Sequence, residues 1–181
     1  MAVVVVGVSH QTAPVDVRDR VAVTSADYPT ALVDLTHIPG VDEAALISTC
    51  NRTEAYIVSP EDGNLVGERL LQHLCERAIG TGELEDHFFT HHDTGAVGHL
   101  YQVTSGLNSM IMGEPQIAGQ VKDAGASALD LGTSGRILNR LFRGAVEASK
   151  RARTETEIAA GAVSVPFAAV ELAKKIFGRL D

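Results

Sequence analysis

A thiol, a guanidinium and a carboxylate occur at every second position within residues 48–54. Cys50, Arg52 and Glu54 follow the apolar run 44–47, which is typical of a buried strand. If the strand continues, side chains two residues apart point to the same face, and the three groups form a row. An arginine beside a cysteine favours the thiolate, which is the nucleophilic form. The segment predicts an activated nucleophile; the alternative is an inert buried cysteine near an ion pair.

Histidine is the side chain most suited to accept or donate a proton near neutral pH. His99 lies on a predicted helix, where a histidine is more often exposed or a core residue than catalytic. Six others compete with it: His10, His37, His73, His87, His91 and His92.

Cys75 has the apolar spacing of a helix and is predicted to be structural, and both cysteines are expected as free thiols. No spacing of Cys and His predicts a metal site.

The elements that must position these groups alternate over the first half of the chain. Strands are predicted over residues 2–8, 44–49, 53–58 and 87–90, and the second and third form a close antiparallel pair. Helices are predicted to begin at Thr24 or Ser25, ending before Pro39, and to cover residues 65–78, ending at Gly80–Gly82. The order βαββαβ predicts a ferredoxin-like subdomain with an antiparallel sheet.

The chain after Asp93 is predicted to be helical. Helices are expected from Asp93 or Thr94 to Gly106, from Pro115 to Leu131, from Thr133 or Ser134 to Thr156, and over residues 163–177 after a break at 160–161. The predicted fold class is therefore α+β, with a ferredoxin-like part over residues 1–92 and a helical part over residues 93–157. The active site is expected between the two parts.

Composition limits the class of protein. No apolar run approaches the ~20 residues that cross a bilayer, and the first residues resemble a strand more than a signal peptide. We therefore expect a cytoplasmic protein without a membrane partner. The net charge of −8 argues against broad, charge-driven binding of nucleic acid. Only four of the 15 basic residues are lysines, which suggests a salt-adapted host as a hypothesis.

Five motifs in order along the chain resemble the glutamyl-tRNA reductase family. They are GVSHQTAP (7–14), STCNRTE (48–54), GLNSMIMGEPQIAGQVK (106–122), KRARTET (150–156) and GAVSV (161–165). The resemblance runs from about residue 5 to the end, and its one small departure is Asp19, where the family usually carries Glu. Members reduce glutamyl-tRNA to glutamate-1-semialdehyde, the first step of the five-carbon route to tetrapyrroles.

The resemblance implies roles for the residues around the cysteine. Cys50 matches the nucleophile that forms a glutamyl thioester, and His99 matches a histidine important for activity. Thr49, Asn51 and Arg52 match the glutamate pocket, in which the guanidinium would bind the side-chain carboxylate of the substrate. Glu54 is expected to orient Arg52 from behind, or simply to form an ion pair with it.

A second substrate-binding cluster is implied by the 106–122 motif. Ser109 and Gln116 are expected to hydrogen-bond the glutamyl group, and Glu114 to pair with its α-ammonium. Pro115 and Gln120 belong to the same pocket. His10, together with Ser9, is expected to border the cleft.

Arg136, Arg140 and Arg143 fall on one face of a predicted helix, and Lys150, Arg151 and Arg153 extend this positive stretch. One interpretation is a solvated face with ion pairs to Glu147 and Glu155. The other is contact with tRNA phosphates.

The resemblance also implies a cofactor and partners that these residues do not explain. NADPH would donate the hydride, yet the sequence contains no Gly-x-Gly-x-x-Gly motif. Residues 158–181 are therefore expected to be a linker and the first helix of a truncated NADPH-binding domain. Glutamyl-tRNA(Glu) and glutamate-1-semialdehyde aminomutase are the expected partners, and a further carboxy-terminal domain would form a homodimer.

Two other functions stay open at the level of sequence. The chain could be a tRNA- or partner-binding module in which Cys50 is inert. It could also be a cysteine hydrolase that uses Cys50 and His99 on simple esters.

Overall fold

The computed structural model describes residues 1–78, 84–159 and 165–178. Four strands form one antiparallel sheet in the order β2-β3-β1-β4, which confirms the predicted ferredoxin-like arrangement. The strands are β1 (Ala2–Ser9), β2 (Glu43–Thr49), β3 (Arg52–Ser59) and β4 (Phe89–His92). The helices are α1 (Val15–Val21), α2 (Tyr28–Leu35), α3 (Gly63–Arg77), α4 (Thr94–Thr104), α5 (Gln116–Asp130), α6 (Arg136–Glu155) and α7 (Val165–Phe177).

Both faces of the sheet are covered, which explains why its central strands are apolar at successive positions. Val4 faces α3, where it lies next to Gly63 and Gly67. Tyr56 on β3 faces the other way, and its ring meets Phe142 of α6 edge-on with the centroids 5.5 Å apart. Every residue of β3 is buried as a result.

A single hydrophobic core joins the sheet to helices α2 to α6. It continues from Leu70 of α3 through the strands to Leu100 and Leu138 of α4 and α6, each of which is fully buried. A smaller cluster of Val8, Ala13, Val17, Val21 and Leu84 lies under α1. The core therefore crosses the predicted boundary at residues 92/93, and the domain divisions stay a prediction.

Three features of the first half differ from the sequence prediction. Helix α2 begins at Tyr28 rather than next to Thr24 or Ser25, and the residue before it is Asp27. Helix α1 was not predicted; it is a seven-residue helix that begins after Pro14 and buries Val17 and Val21. The last strand begins at Phe89, two residues later than predicted, because Glu85–His87 forms a 3₁₀ turn. Antiparallel pairing of Gly7 with Phe89 then sets the register of β4 on β1.

The cap of α6 also differs from the prediction. Thr133 is buried, and its hydroxyl donates to the carbonyls of Ala44 and Ala128 and so does not cap the helix. The Glu43 carboxylate accepts the N–H groups of Ile137 and Leu138 instead, at 3.1 and 2.8 Å. A side chain from β2 thereby satisfies two donors that the first turn of a helix leaves free.

Three predicted features lie outside the described residues: the Gly80–Gly82 stop, the break at 160–161 and residues 163–164 of the last helix. Within the described ranges, no helix is both long enough and apolar enough to cross a bilayer.

Candidate active site

Cys50 lies at the tip of the β2–β3 hairpin. Strand pairing ends with Thr49 opposite Arg52, so Cys50 and Asn51 form a two-residue turn. The prediction that Cys50 shares a strand face with Arg52 and Glu54 is therefore wrong, because the chain reverses direction at the cysteine. The turn leaves the cysteine exposed, whereas Arg52 and Glu54 point into the protein.

The turn is held from both sides. The Thr49 hydroxyl accepts the backbone N–H groups of Asn51 and Arg52, both at 3.2 Å. The backbone N–H of His10 donates to the Asn51 carbonyl at 2.9 Å. The His10 side chain lies near the guanidinium groups of Arg52 and Arg18. Burial lowers the pKa of His10, and these two positive charges lower it further. His10 therefore borders the turn, and its Nδ1 is buried without a partner among the described residues.

Arg18 of α1 is a basic side chain at the turn that was not singled out in the sequence. Its Nε donates to the Cys50 carbonyl at 3.4 Å, and Nη1 donates to the Ala13 carbonyl at 2.7 Å. The guanidinium is partly exposed. It fixes the backbone of the nucleophile candidate and places a positive charge close to it.

A charged network is buried beneath the turn. Arg52 Nη1 lies 2.6 Å from Glu54 Oε1, and the two side chains are 2% and 0% exposed. Tyr56 donates its hydroxyl to Glu54 Oε2 at 2.7 Å, and His99 Nε2 lies 3.1 Å from Oε1. The single carboxylate thus accepts hydrogen bonds from a guanidinium, a phenol and an imidazole. It fixes the position of all three.

The pKa shifts follow from this arrangement. Burial disfavours the ionised Glu54, but the hydrogen bond from His99 and the charge of Arg52 outweigh burial, and the pKa of Glu54 lies below its ordinary value. Burial and then the negative charge of Glu54 raise the pKa of Tyr56 well above its usual range. Glu54 is therefore an acceptor and Tyr56 a donor at neutral pH.

Gly7 makes the space for this network. It pairs with Glu54 on one side and with Phe89 on the other, so all three lie in one row across the sheet. A Cβ at Gly7 would lie 2.5 Å from the Thr53 carbonyl oxygen and 2.9 Å from the Glu54 Cγ. The missing side chain lets the Glu54 carboxylate lie over β1, within reach of His99 on α4.

His99 belongs to a group of rings that pack against one another at tilted angles. Its ring centroid lies 4.8 Å from that of Phe89 and 5.0 Å from that of His91. Burial and then the neighbouring His99 lower the pKa of His91. Among the described residues, no hydrogen bond joins His99 to Cys50; the imidazole reaches the site through Glu54.

The predicted second cluster connects to the site at two points. Arg52 Nη2 donates to the Asn108 carbonyl at 2.5 Å, which ties the loop before α5 to β3. Gln120 shares a cleft of about 370 Å³ with Thr49. The two ends of this loop meet at Gly106, whose φ of 79° favours glycine. A Cβ added at Gly106 would lie 3.0 Å from Gly113 Cα.

The other members of that cluster occupy the same loop and the start of α5. Glu114 is half-buried, and its carbonyl accepts from Arg153 of α6 at 3.0 Å. Pro115 precedes α5 and Gln116 begins it, both exposed, while Ser109 is half-buried. Within the described residues, the side chains of these four form no hydrogen bond with the Cys50 turn.

Cys75 contrasts with Cys50. It is half-buried against the small cluster under α1, where burial and then the carboxylate of Glu85 raise the pKa of its thiol.

The described residues contain no group of three His, Cys, Asp or Glu side chains that could hold a metal ion. They also offer no fit for NADPH, because the sheet is antiparallel and lacks the parallel strand and glycine-rich turn that hold a dinucleotide.

Comparison with known proteins places this hairpin in a family. The family described as "Glutamyl-tRNAGlu reductase, N-terminal domain" matches residues 6–156. The chain belongs to the glutamyl-tRNA reductase family. The resemblance inferred from the sequence motifs is thereby confirmed.

Individual relatives agree over the full chain. It is 46% identical to the glutamyl-tRNA reductase of Geobacter metallireducens over 182 residues, covering 100% of this chain and 42% of the relative. The glutamyl-tRNA reductase of Stenotrophomonas maltophilia is also 46% identical, covering 100% and 40%. The solved glutamyl-tRNA reductase of Methanopyrus kandleri is similar with a TM-score of 0.74 and 34% identity, covering 96% of this chain and 39% of that one. The chain therefore spans about two fifths of the length of these reductases.

Three residues of the candidate site were not identified from the sequence. Tyr56 continues the alternation of Arg52 and Glu54 along β3, so its position on the same strand face could have been predicted from the sequence. Gly7 lies in a valine-rich strand, where an isolated glycine signals close approach of another group. Arg18 depended on α1, the helix that was not predicted.

Proposed function

We propose that this chain forms a glutamyl thioester on Cys50 from glutamyl-tRNA(Glu), as the first half of the glutamyl-tRNA reductase reaction of tetrapyrrole biosynthesis. One observation carries the proposal. An exposed cysteine is held at the tip of a two-residue turn, directly above a buried network of Arg52, Glu54, Tyr56 and His99. A structural cysteine would not need exposure together with a fixed charged support.

The chemistry starts from an ester between the glutamate carboxyl carbon and the terminal ribose of the tRNA. The Cys50 thiol loses its proton to solvent, and the thiolate attacks that carbon, so that a C–S bond forms and the C–O bond to ribose breaks. The ribose oxygen leaves with a proton, which His99 supplies in this proposal. The product is a thioester, which remains activated toward hydride.

Arg52 is the proposed ligand for the substrate's side-chain carboxylate. Its Nη1 and Nη2 already bond Glu54 and the Asn108 carbonyl, so the guanidinium plane is fixed before substrate arrives. Pre-set geometry of this kind lowers the ordering cost of binding. Glu54 is thus a positioning residue, and Thr49, through the turn it holds, is another.

The loop before α5 and the first turns of α5 complete the proposed pocket. Ser109, Gln116 and Gln120 would hydrogen-bond the glutamyl group, and the Glu114 carboxylate would pair with its α-ammonium. Pro115 fixes the start of the helix, and Asn51 presents an amide beside the nucleophile. Contact between Arg52 and Asn108 supports placing this loop at the site.

The rest of the proposed reaction uses residues outside this chain. NADPH would supply the hydride that reduces the thioester in the whole protein, and no residue in the described ranges fits it. We propose that the isolated chain forms the thioester and hydrolyses it slowly, without releasing semialdehyde. A homodimer, a cytoplasmic location and an aminomutase partner belong to the same proposal for the whole protein.

Intact-protein mass spectrometry after mixing with glutamyl-tRNA(Glu) tests the proposal. We expect one glutamyl adduct, mapped to Cys50, on the wild-type chain and on the matched Cys75→Ser control. Cys50→Ser should lose the thioester while its unfolding curve stays close to that of the wild type. Absence of an adduct on the folded wild-type chain would show a binding module without chemistry.

Alkylation tests the alternative of a binding module with an inert Cys50, and ester turnover tests the alternative of a cysteine hydrolase. Iodoacetamide should label Cys50 faster than Cys75, and glutamyl-tRNA should protect Cys50 more than uncharged tRNA does. Equal turnover of simple esters and glutamyl-tRNA would favour a general cysteine hydrolase and contradict the proposal.

A further inference from the structure

Positive charge is concentrated on one helix of an otherwise acidic chain. Helix α6 carries six of the fifteen basic residues and two of the 23 acidic ones, although the net charge of the chain is −8. Its basic residues are Arg136, Arg140, Arg143, Lys150, Arg151 and Arg153. Basic residues are therefore far more frequent on α6 than an even distribution over the chain would give.

Most of these charges have no partner within residues 1–78, 84–159 and 165–178, which the structure describes. Arg151 bonds Glu155, and Arg153 bonds the Glu114 carbonyl. Arg136, Arg140, Arg143 and Lys150 form no ion pair or side-chain hydrogen bond with any part of the chain that the structure describes. The predicted pairing of this face with Glu147 is therefore wrong in the described residues, because the carboxylate lies beyond ion-pair distance of its basic neighbours. The predicted Arg151–Glu155 pair is present.

The unpaired arginines line a groove along α6, to which α4 contributes Tyr101 and which is called the α4–α6 groove below. Its volume is about 1160 Å³. Arg136, Arg140, Arg143 and Arg151 occur at helical spacing and share one stripe along α6, which Glu147 interrupts once. The remaining lining is mostly uncharged and includes Tyr101, Ile137, Leu141, Gly144 and Ala148.

Helix α6 leads from the far end of the sheet toward the candidate active site. Its first turn is capped by Glu43 at the start of β2, whereas Arg153 near its end bonds the loop that also bonds Arg52. A helix of 20 residues is about 30 Å long. The helix that carries the stripe therefore begins beside the start of β2 and ends beside the loop that contacts Arg52.

We propose that the α4–α6 groove binds the phosphate backbone of the tRNA whose aminoacyl end reaches Cys50. The inference rests on the proposed function, which supplies the polyanion, and adds the surface that takes it. Arginine binds phosphate with a planar fork of donors, and an unpaired row of guanidinium groups suits a ligand with regularly repeated negative charge. The acidic remainder of the chain confines binding to this face.

Binding of uncharged tRNA(Glu) to the 181-residue chain, measured by fluorescence anisotropy across salt concentrations, tests the inference. The double variant Arg140→Ala/Arg143→Ala should bind at least about tenfold more weakly. The slope of log affinity against log salt should become shallower by roughly 0.7–0.9 for each phosphate that the variant no longer neutralises. Glu147→Gln should tighten binding.

The matched control removes two arginines from the opposite face of the sheet. Arg69→Gln/Arg77→Gln on α3 has the same change in net charge and should leave the affinity within about twofold. If both double variants bind tRNA equally weakly, the loss of affinity follows from net charge alone, and the inference is overturned. Failure of the wild-type chain to bind tRNA would overturn it as well.

The outcomes separate the groove from the chemistry. If the wild-type chain acquires a glutamyl adduct from a small glutamyl ester but the α6 variants bind tRNA normally, the inference fails and the proposed function stands. If no adduct forms from the small glutamyl ester or from glutamyl-tRNA(Glu), the proposed function fails. A shift in sedimentation of the chain with Arg140→Ala/Arg143→Ala, without loss of tRNA binding, would assign the groove to self-association instead.

Discussion

The two concentrations of charge in this molecule are built in opposite ways. Beneath the Cys50 turn, Arg52 and Glu54 are almost fully buried, and each has hydrogen-bond partners at fixed distances. Along α6, Arg136, Arg140 and Arg143 face a groove and form no pair with the described residues. The first arrangement fixes positions, whereas the second leaves charge available.

The difference follows from the cost of removing charge from water. A buried charge without partners is strongly unfavourable, so the network under the hairpin must be complete before any ligand binds. Exposed guanidinium groups keep their hydration and adapt to a mobile ligand at little cost in stability. Substitutions should therefore affect stability in the first region and ligand affinity in the second.

The largest effect on stability is expected for Glu54→Ala. It leaves the buried Arg52 guanidinium without its carboxylate, which should lower the free energy of unfolding by about 3–5 kcal/mol. Urea unfolding followed by circular dichroism measures the loss. The exposed Glu155→Ala, which also removes an arginine's partner, should change stability little; similar losses in both would contradict the contrast.

The same pair has a predictable dependence on pH. The folded pKa of Glu54 lies below its ordinary value of about 4.3, so its stabilisation is complete above that value and is lost as the pH falls through the folded pKa. Glu54→Gln, which keeps the shape of the side chain, should therefore lose its stability difference from the wild type in acid. A difference that stays constant down to about pH 2 would show that the carboxylate charge contributes nothing.

Gly7→Ala should lower the free energy of unfolding by about 1–3 kcal/mol, since the new methyl group meets backbone atoms that cannot move aside. It should also displace the Glu54 side chain and slow adduct formation on Cys50. Gly67→Ala is the control, because its Cβ would meet neighbours at ordinary contact distances of 3.5 Å or more. That change in a helix should be neutral or stabilising, and a loss equal to that of Gly7→Ala would point to general crowding of the core.

Tyr56→Phe removes one donor from Glu54 and keeps the ring that packs on Phe142. We expect a loss of about 1–2 kcal/mol, less than for Glu54→Ala, because the carboxylate keeps Arg52 and His99. A double-mutant cycle with Glu54→Ala, which removes the acceptor, measures the coupling. Additive effects would mean that the short Tyr56–Glu54 hydrogen bond contributes no free energy.

The smallest effect on stability is expected for Arg140→Ala/Arg143→Ala. Each side chain is exposed and unpaired in the described structure, so the free energy of unfolding should change by about 0.5 kcal/mol or less. Thermal unfolding checks this directly. A large loss would show that these arginines support the fold, and the contrast between the two regions would no longer hold.

The ferredoxin-like order could be predicted because strand and helix periods were clear and the turns between them short. For Cys50 the pattern supported two predictions that exclude each other. The strand bounds 44–49 and 53–58 put it in the connection between β2 and β3, where the structure has it, whereas the row with Arg52 and Glu54 required one continuous strand. A period of two in Cys50, Arg52 and Glu54 fits a continuous strand as well as a reversal, and the hydrogen bonds of Thr49 decide between them.

Contacts between distant segments account for the other differences. The Asn108 carbonyl on Arg52 and the Glu43 cap of α6 join residues 56 and 94–95 positions apart, and no local preference indicates either. Tyr56 could have been found, since it continues the alternation along β3. The prediction for His99 named the residue, but only the structure connects it to Glu54.

Exposure of Cys50 at the hairpin tip has a practical chemical consequence. A side chain that a macromolecular ester can approach is equally open to peroxide and dissolved oxygen, and a thiolate oxidises through sulfenic acid to forms that reductants no longer reverse. Cys75, half-buried and with a raised pKa, is protected from the same attack. Preparations stored without reductant should therefore gain oxygen mass at the hairpin cysteine and lose reactivity there while the fold stays intact.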